Sequence, residues 1–431
     1  MSTLKVEKIQ HPNSASVALT LDTSGNLALQ AGSAAAPAIQ GPSDPNTGIF
    51  FPAADTIAFA EGGVERARLD SSGRLLVGTS TASGSALLQV LGDAQVASIN
   101  GGPIGGARNR IINGDMRIDQ RNAGASVTPT TSVYTLDRWL AIMGVTSKYS
   151  VQRNAGSVTP PTGFTNYLGI TSTSAYASGA TDAFLLNHYI EGFNTADLAW
   201  GTVNALTATL SFWIRCSIAG TYSLSICNSP SSSSRAYIAT YTVNSANTWE
   251  YKTATIPGDT SGTWDTTNGI GVQVRFDLGS GSSFNGTAGS WGSSNLTKTS
   301  GSQSVVGTNG ATFYITGVQL EAGTIATPFE RRSYGQELAL CQRYYYSSGT
   351  VRTTIYADNA TSDGILNFKF PISMRAAPTI AQTSGGTTLA NTGTISTQGI
   401  TTEGFQWTVG SSSGAGMRGS TACSYTATSE L

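Results

Sequence analysis

Charge and histidine are scarce in this sequence of 431 residues. Charged residues make up 11% of the chain and the formal net charge is −1, whereas about 25% charged residues is usual for soluble proteins. A chain this close to neutral has no basic surface of the kind that binds nucleic acid or an anionic membrane. There are two histidines, His11 and His188, so few imidazole groups are available for acid–base catalysis. We expect His188 to be a hydrogen-bonded structural residue.

Long apolar runs are also missing. No run reaches the roughly 20 residues that a membrane-spanning helix needs, and the opening residues, MSTLKVEKIQ, are too polar for a signal peptide. We therefore expect a protein that is made in a cytosol and does not insert into a membrane.

Cysteine is rare, and its spacing resembles neither a metal site nor a disulfide framework. We expect Cys216, Cys227, Cys341 and Cys423 to be small buried side chains. If LSFWIRC and TYSLSIC form a hairpin, Cys227 lies on the face opposite Cys216, which argues against a disulfide between them. The sequence predicts neither a bound metal nor a cofactor.

Enzyme motifs are absent too: there is no P-loop, no G-x-S-x-G and no H-E-x-x-H. The paired acids Asp115 and Asp119 would lie on one face of a strand, roughly 13 Å apart by the strand rise. Polysaccharide cleavage needs two carboxylates about 5–9 Å apart. Because Arg117 lies between these acids, we interpret them as salt-linked surface and predict that the chain is not an enzyme.

What the chain does have is glycine, 50 residues of it, and many short runs that alternate apolar and polar residues. This composition is typical of short strands joined by tight turns. Between residues 108 and 332, alternating runs such as LSFWIRC, TWEYKTATI and FYITGVQLE predict a β-sandwich. Alternation in Ile112, Met116 and Ile118 predicts that the first strand of this domain lies within Gly105 to Gly124.

The N-terminal region contains an internal echo. LDTSGNLAL at Leu21 to Leu29 recurs as LDSSGRLLV at Leu69 to Val77, and each copy predicts a hairpin. A lone hairpin leaves its apolar face in water. We therefore predict that Leu27, Leu29, Leu75 and Val77 contact copies of themselves in other chains, with a flexible linker as the alternative for the segment between the echoes.

Near the C-terminus the period changes from two to about 3.6. Tyr334, Leu338, Cys341 and Tyr345 follow a four, three, four spacing, which predicts one face of a short helix. That face could form a seam between like helices of several chains, or it could pack on the sandwich of its own chain. The strand patterns after it, to Leu431, predict a small terminal β domain.

Several motifs resemble a domain of bacteriophage tail-fibre proteins. They are RNRIINGDMRIDQRN (Arg108 to Asn122), YTLDRW (Tyr134 to Trp139), GVQLEAGTIATPFERR (Gly317 to Arg332) and ELALCQRYYY (Glu337 to Tyr346). The segment between the two echoes also resembles fibre shafts, in which three chains wrap one another. The strand order resembles the jelly-roll family of carbohydrate-binding modules, whose paired acids hold calcium. Here the matching positions are Thr316 and Gly317, so the resemblance implies no calcium site.

Together these resemblances imply a mainly β homotrimer in the tail fibre of a virion. They imply a virion-attachment segment at 1–30, a shaft and connector at 31–106, a jelly-roll-like β-sandwich at 107–332, and a short helix with a terminal β domain at 333–431. The first segment would dock on a phage tail protein, and the distal domains would adhere to a host cell-surface glycan or protein. Two rival functions remain: a tail-spike depolymerase and a purely structural spacer.

Candidate receptor contacts follow from position and residue type, because function collects on loops carried by a rigid scaffold. We predict receptor-binding residues in C-terminal loops, namely Tyr356, Asp363, Phe405, Trp407 and Met417. Aromatic rings in turn-rich surroundings, Trp264 and Trp291, are further candidates for stacking on a sugar. Trp213 and Trp249 lie in predicted strands, where core or sheet surface is the expected position.

Overall fold

In the computed structural model, the described residues are 8–9, 12–13, 19–92, 108–228, 235–292, 295–356, 364–384, 392–411 and 418–431. The chain divides into two compact units, Met1–Ala97 and Ser98–Leu431. Within the described ranges there are thirty strands and one α-helix, which confirms the predicted mainly β class. No helix among these residues is long and apolar enough to cross a bilayer.

The first unit is built from short strands in succession. They are β1 (Lys8–Ile9), β2 (Leu19–Leu21), β3 (Leu27–Leu29), β4 (Gly32–Ser33), β5 (Ala36–Pro37), β6 (Ile39–Gly41), β7 (Asp44–Phe50), β8 (Ile57–Glu61), β9 (Val64–Leu69), β10 (Leu75–Val77) and β11 (Leu88–Val90). Strands β6 to β11 form one six-stranded sheet in chain order, and β1 to β3 form another. Both predicted hairpins are confirmed, as β2–β3 and β9–β10.

The two echoes close their hairpins in the same way. In each turn the aspartate, Asp22 or Asp70, accepts hydrogen bonds from the backbone N–H groups two and four residues further on. The glycines of the turns, Gly25 and Gly73, have φ of 84° and 75°, a conformation that glycine adopts without strain. The repeated D-x-S-G sequence therefore encodes a repeated turn.

One face of the six-stranded sheet is apolar and is exposed among the described residues. Strand pairing aligns two rows of side chains on it: Ile39, Ile49, Phe59, Ala67, Val77 and Val90, and Ile57, Leu69, Leu75 and Leu88. Ile57 and Leu75 are each 41% exposed and Leu88 is 61% exposed. The opposite face, by contrast, buries Phe50, Ala58 and Leu76. We call the two rows the apolar sheet face.

The second unit begins with a β-sandwich. Its strands are β12 (Val133–Leu136), β13 (Trp139–Met143), β14 (Tyr149–Arg153), β15 (Leu168–Ser172), β16 (Phe184–Glu191), β17 (Ala208–Cys216), β18 (Gly220–Cys227), β19 (Ala236–Val243), β20 (Glu250–Ile256), β21 (Ile270–Asp277), β22 (Trp291–Gly292) and β23 (Thr312–Ala322). One sheet has seven strands in the order β12-β13-β16-β21-β18-β19-β22. The other has five, in the order β14-β15-β23-β17-β20.

The predicted hairpin of β17 and β18 is wrong, because these strands belong to different sheets. Their alternation was nevertheless informative: Phe212 and Leu224 are buried and contribute to the same hydrophobic core. All four cysteines are free and buried, as predicted. Burial raises the pKa of the Cys216 thiol to about 12, so this thiol is unreactive at neutral pH.

The predicted strand within Gly105 to Gly124 is also wrong; its described part, from residue 108, is a series of turns. Asn113 and Met116 have φ of 58° and 60°, which breaks the extended alternation. Side-chain amides replace the hydrogen bonds of a sheet: Asn113 Nδ2 donates to the carbonyl oxygens of Ile118 and Asp137, at 2.8 and 3.0 Å. The apolar side chains are still buried, which produced the misleading pattern.

The helix and the terminal domain follow the sandwich. Helix α1 (Tyr334–Gln342) begins after Ser333, whose hydroxyl accepts a hydrogen bond from the Gln336 N–H at 3.3 Å. The remaining strands are β24 (Tyr345–Ser347), β25 (Val351–Tyr356), β26 (Gly364–Lys369), β27 (Thr379–Ser384), β28 (Thr392–Gln398), β29 (Gly404–Ser411) and β30 (Arg418–Thr428). Strand β30 pairs with β24, β25 and β27, and β29 lies between β26 and β28.

Most of the predicted seam on this helix packs within its own chain. Cys341 is fully buried, and with Leu338 it packs against Ile118 of the same chain. Tyr345 is not helical and is buried in β24, whereas Tyr334 is 58% exposed. The alternative, packing on the sandwich of its own chain, is what the structure shows.

Charged side chains also join the helix and the end of the chain to the sandwich. Glu430 accepts from Arg121 at 2.6 Å and from Arg138. Glu191 of β16 accepts from Arg343 and from the Tyr344 hydroxyl, both at 2.6 Å. Because breaking a buried pair leaves an uncompensated charge, these contacts hold the sandwich and the terminal domain in one arrangement.

Candidate functional site

Two of the C-terminal aromatics predicted as receptor contacts, Phe405 and Trp407, are core residues. Phe405 and Trp407 lie in β29, each 2% exposed, and pack with Phe368 and Tyr425. The prediction that they lie in receptor-binding loops is wrong, whereas the strand predicted for GFQWTVG is confirmed as β29. Asp363 and Met417 lie outside the described residues. The structure describes only the backbone of Tyr356, at the end of β25.

Trp264 and Trp291 are partly exposed but packed against each other and against Trp200. Their ring centroids lie 4.7 to 5.5 Å apart in edge-to-face contacts. Both indole N–H groups donate within the chain, to the carbonyl oxygens of Ser261 and Pro257. These interactions stabilise the end of the sandwich, and the predicted sugar contact stays a prediction.

The acids and the histidine that the sequence singled out have structural partners. Asp115 pairs with Arg117 at 2.5 Å, as predicted, but it is buried in a turn and does not lie on a strand surface. Asp119 accepts from the backbone N–H of Asn122 at 2.9 Å. His188 is fully buried and its Nε2–H donates to the Ile112 carbonyl oxygen at 3.0 Å. Within the described ranges, no group of three or more His, Cys, Asp or Glu side chains could hold a metal ion.

A different surface is open to a ligand: the outer face of the five-stranded sheet. A groove of about 640 Å³ lies there between the strands and two loops. We call it the aromatic groove; its lining residues are Phe164, Ser211, Trp213, Tyr251, Gly317, Ala326, Thr327, Pro328, Phe329 and Arg331.

Two strand residues form the floor of the aromatic groove. Alternation along β17 directs Phe212 and Ile214 into the core and Trp213 outward. Tyr251 of β20 is directly opposite Trp213 in the strand pairing. The two ring centroids are 5.5 Å apart, with the planes inclined at 51°, and Tyr251 is 43% exposed. The pair therefore presents aromatic surface to solvent at a fixed angle.

A bulge in β23 makes room beside this pair. The register of β17 against β23 shifts between Ser211 and Trp213, and at this position Gly317 has φ of 61°. A Cβ atom on Gly317 would lie 2.6 Å from Phe164 Cζ and 3.2 Å from Trp213 Cδ1. Only glycine leaves space between the floor and the loop here.

The wall of the groove is a loop held firmly on the sheet. Glu321, buried in β23, accepts from the Thr327 N–H at 2.8 Å and from the Thr327 hydroxyl at 2.6 Å. Gln319 Oε1 accepts from the Glu330 N–H at 2.7 Å. These bonds position Phe329, whose ring meets that of Phe164 edge to face at 5.2 Å. The groove is thus preformed rather than assembled around a ligand.

One charged side chain lines the groove. The Arg331 guanidinium lies 4.6 Å from the Phe164 ring centroid and 5.7 Å from that of Phe329. None of the lining residues named above is Asp or Glu. The groove can therefore bind and orient a ligand, but it lacks the carboxylate pair that glycoside hydrolysis requires.

Another cavity, of about 680 Å³, lies among the loops near Tyr176 and Lys298, with mostly Ser and Gly lining it. Its one aromatic side chain is already engaged: the Tyr176 hydroxyl donates to Asp182 at 2.7 Å, and Lys148 lies 4.6 Å from the ring centroid. The aromatic groove is the better candidate site, because its floor rings have an open face.

The aromatic groove is not among the sites predicted from the sequence, although one signal for it was present. The inward set of Leu210, Phe212 and Ile214 implies that Trp213 points outward. The contributions of Tyr251 and of the loop residue Phe329 depend on pairing between distant segments, which no local pattern reports.

Comparison with known proteins adds little to this description. No family model and no curated protein matches the chain. Solved structures match about half of it. A putative sugar binding protein from Bacteroides thetaiotaomicron has 11% identity over 50% of this chain and 99% of its own, with a TM-score of 0.30. A family 11 carbohydrate-binding module from Clostridium thermocellum has 16% identity over 48% and 100%, with a TM-score of 0.24.

The enzymatically active domain of tailspike protein 4 from bacteriophage CBA120 also matches. It has 10% identity over 50% of this chain and 21% of its own, with a TM-score of 0.28. All three TM-scores are below 0.5, and these likenesses carry no weight in the proposals below.

Proposed function

We propose that this chain is an adhesin that binds a glycan of the host cell surface through the aromatic groove, as part of a bacteriophage tail fibre. The observation that carries the glycan-binding proposal is the outward-facing pair of Trp213 and Tyr251 in a preformed groove. The viral setting rests on the sequence motifs that resemble tail-fibre proteins.

Glycan binding fits the groove for a physical reason. A pyranose ring has apolar C–H faces, which pack on aromatic rings, and an edge of hydroxyls, which need hydrogen-bond partners. Here the rings of Trp213 and Tyr251 are bordered by Ser211 and Thr327, and Arg331 lies at the loop. An apolar surface with a few fixed polar groups is the usual design of a small-molecule site.

We further propose that the chain works as a homotrimer assembled through the apolar sheet face. Exposed contiguous apolar surface in a protein marks an interaction site, and a second and third copy are the occupants with matching surface. The number three comes from the resemblance to fibre shafts. Residues 1–30 would then dock on a phage tail protein, so that the assembled fibre belongs to the virion.

The proposal makes the chain an adhesin and not a depolymerase. A tail-spike depolymerase would release sugar from host polysaccharide, and a structural spacer would not bind host glycans at all. Incubation of the purified chain with host polysaccharide, followed by a reducing-sugar assay, separates the first rival from the adhesin.

A glycan-array measurement tests the binding function. We expect the full chain to bind one class of oligosaccharide, and Trp213→Ala to lose that signal. Trp264→Ala, which changes a partly exposed ring outside the groove, is the matched control and should keep the signal. Circular dichroism melting checks that both variants are folded. Binding that survives Trp213→Ala but not Trp264→Ala would move the site to the tryptophan cluster and overturn the assignment.

A further inference from the structure

We propose that the glycan bound in the aromatic groove is anionic, and that Arg331 binds the carboxylate or sulfate of one of its sugar residues. This inference rests on the proposed glycan-binding function. It goes further by naming the chemical class of the ligand and the residue that selects it.

The first observation is the charge of the groove. Arg331 is the one charged residue among those that line it. Within the described part of the chain, its side chain makes no hydrogen bond and no ion pair; its guanidinium lies over aromatic rings, and its charge also interacts with that of Asp115. A guanidinium is always charged in proteins and carries five N–H donors, so this group has unused capacity for an anion.

The second observation is that the carboxylates of the neighbouring segments have other partners. Asp115, whose charge interacts with that of Arg331, is buried and pairs with Arg117 at 2.5 Å. Glu321 is buried and accepts from Thr327 at 2.8 and 2.6 Å. Glu330 accepts from the Asn109 N–H at 2.6 Å and lies 3.6 Å from Arg332. None of these three acids lines the groove.

The third observation is where the guanidinium lies. It lies over the Phe164 ring with its carbon 4.6 Å from the centroid. Its Nη2 is 3.0 Å from where a Cβ on Gly163 would lie, so the loop backbone borders it on another side. Arginine stacked on an aromatic ring keeps the edge of its planar fork free, and that edge matches a carboxylate.

Geometry then favours an acidic sugar over a neutral one. A sugar ring stacked on the Trp213 and Tyr251 floor can direct its substituents toward the loop wall, where Arg331 lies. A charge-assisted hydrogen bond is about twice as strong as a neutral one. Without Arg331, the anionic group of the ligand would have no charged partner among the residues that line the groove.

Matched ligands test this inference. The probes are hexasaccharides of galacturonate, glucuronate and mannuronate, each with its carboxyl-reduced neutral copy, and a sulfated hexasaccharide with its desulfated copy. Titration calorimetry with the full chain gives the dissociation constants. We expect the anionic member of at least one pair to bind about tenfold or more tightly than its neutral copy. The pair that shows this difference identifies the anion as carboxylate or sulfate.

Variants assign the preference to a residue. Arg331→Gln should remove the preference while leaving the affinity for the neutral copy within about twofold, because the stacking floor is intact. Arg215→Gln is the matched control: its guanidinium lies over the Tyr314 ring, outside the groove, and we expect no change.

The outcomes separate the two proposals. If the array and the probes show no glycan binding at all, the proposed function fails. If neutral glycans bind as well as anionic ones, or if the preference persists in Arg331→Gln, the inference about Arg331 is overturned while glycan binding stands.

Discussion

Two apolar surfaces are exposed in the described part of this protein, and they differ in kind. The apolar sheet face of the first unit is made mainly of aliphatic side chains such as Ile57, Leu75 and Leu88. The aromatic groove of the second unit is made of rings, with hydroxyls and one guanidinium around them. An exposed apolar surface does not stabilise a single folded chain, so folding alone accounts for neither surface.

The difference indicates the kind of partner each surface takes. A flat aliphatic face without polar groups gains free energy only from another apolar surface, and a copy of itself has the required shape. A groove with inclined rings and a few polar groups suits a ligand that is apolar on its faces and polar at its edge. Changing one surface should therefore leave the function of the other intact.

The largest effect should come from charge on the apolar sheet face. Leu75→Asp places a carboxylate where the assembled protein would bury it without a partner. We expect the mass measured by light scattering to fall from three chains to one. Ser71→Asp, in the exposed turn of the same hairpin, adds the same charge away from the face and should leave the mass unchanged. A single-chain mass for the unaltered protein would defeat the assembly proposal.

A smaller effect should follow from closing the aromatic groove. Gly317→Ala adds a Cβ that would lie 2.6 Å from Phe164 Cζ, at a backbone conformation that disfavours alanine. We expect glycan affinity to fall about tenfold and the unfolding free energy by about 1–3 kcal/mol. The assembly mass should not change. Unaltered affinity would mean that the ligand does not reach the floor of the groove.

The two surfaces differ in how far they could be predicted from the sequence. The β9–β10 hairpin of the apolar sheet face could be predicted, because its D-x-S-G turn and alternating arms are local signals. The aromatic groove could not, since Trp213 and Tyr251 meet only when β17 pairs with β20. Local patterns also gave a wrong prediction where contacts with distant residues determine the backbone conformation. Side-chain hydrogen bonds of Asn113 hold the predicted first strand in turns.

The terminal domain was predicted in part. Its strand patterns are confirmed, with GFQWTVG as β29. The prediction of receptor-binding loops at Phe405 and Trp407 is wrong, because strand pairing with β26 and β28 buries both side chains. The helical period of Leu338 and Cys341 was real. Periodicity identifies an apolar face, but it does not say whether the partner is the same chain or another one.

The smallest predicted effect is a change of the unfolding free energy with pH. It arises in the sandwich, whereas the apolar sheet face has no titratable side chain that could contribute to it. Burial, with Arg138 nearby, lowers the pKa of His188 well below its ordinary value. The unfolded chain, with a pKa of about 6.5, therefore binds a proton that the folded sandwich does not. His188 thus lowers the unfolding free energy as pH falls below about 6.5, by at most about 1.4 kcal/mol per pH unit.

Other groups near this histidine respond differently, so a variant is needed to isolate its effect. Burial raises the pKa of Asp137 to about 6, which favours the folded state as pH falls. His188→Gln cannot titrate but can still donate to the Ile112 carbonyl. Urea unfolding from pH 7 to 5 should show the unaltered protein losing stability relative to this variant. Parallel curves for the two proteins would contradict the assignment.

A crystal structure of the full chain with its tightest-binding oligosaccharide tests the central claim most directly. The account predicts a sugar ring packed on Trp213 and Tyr251 at van der Waals distance, about 4 Å. Electron density for the sugar at the tryptophan cluster, among the loops near Tyr176, or on the terminal domain, with the aromatic groove empty, would contradict it.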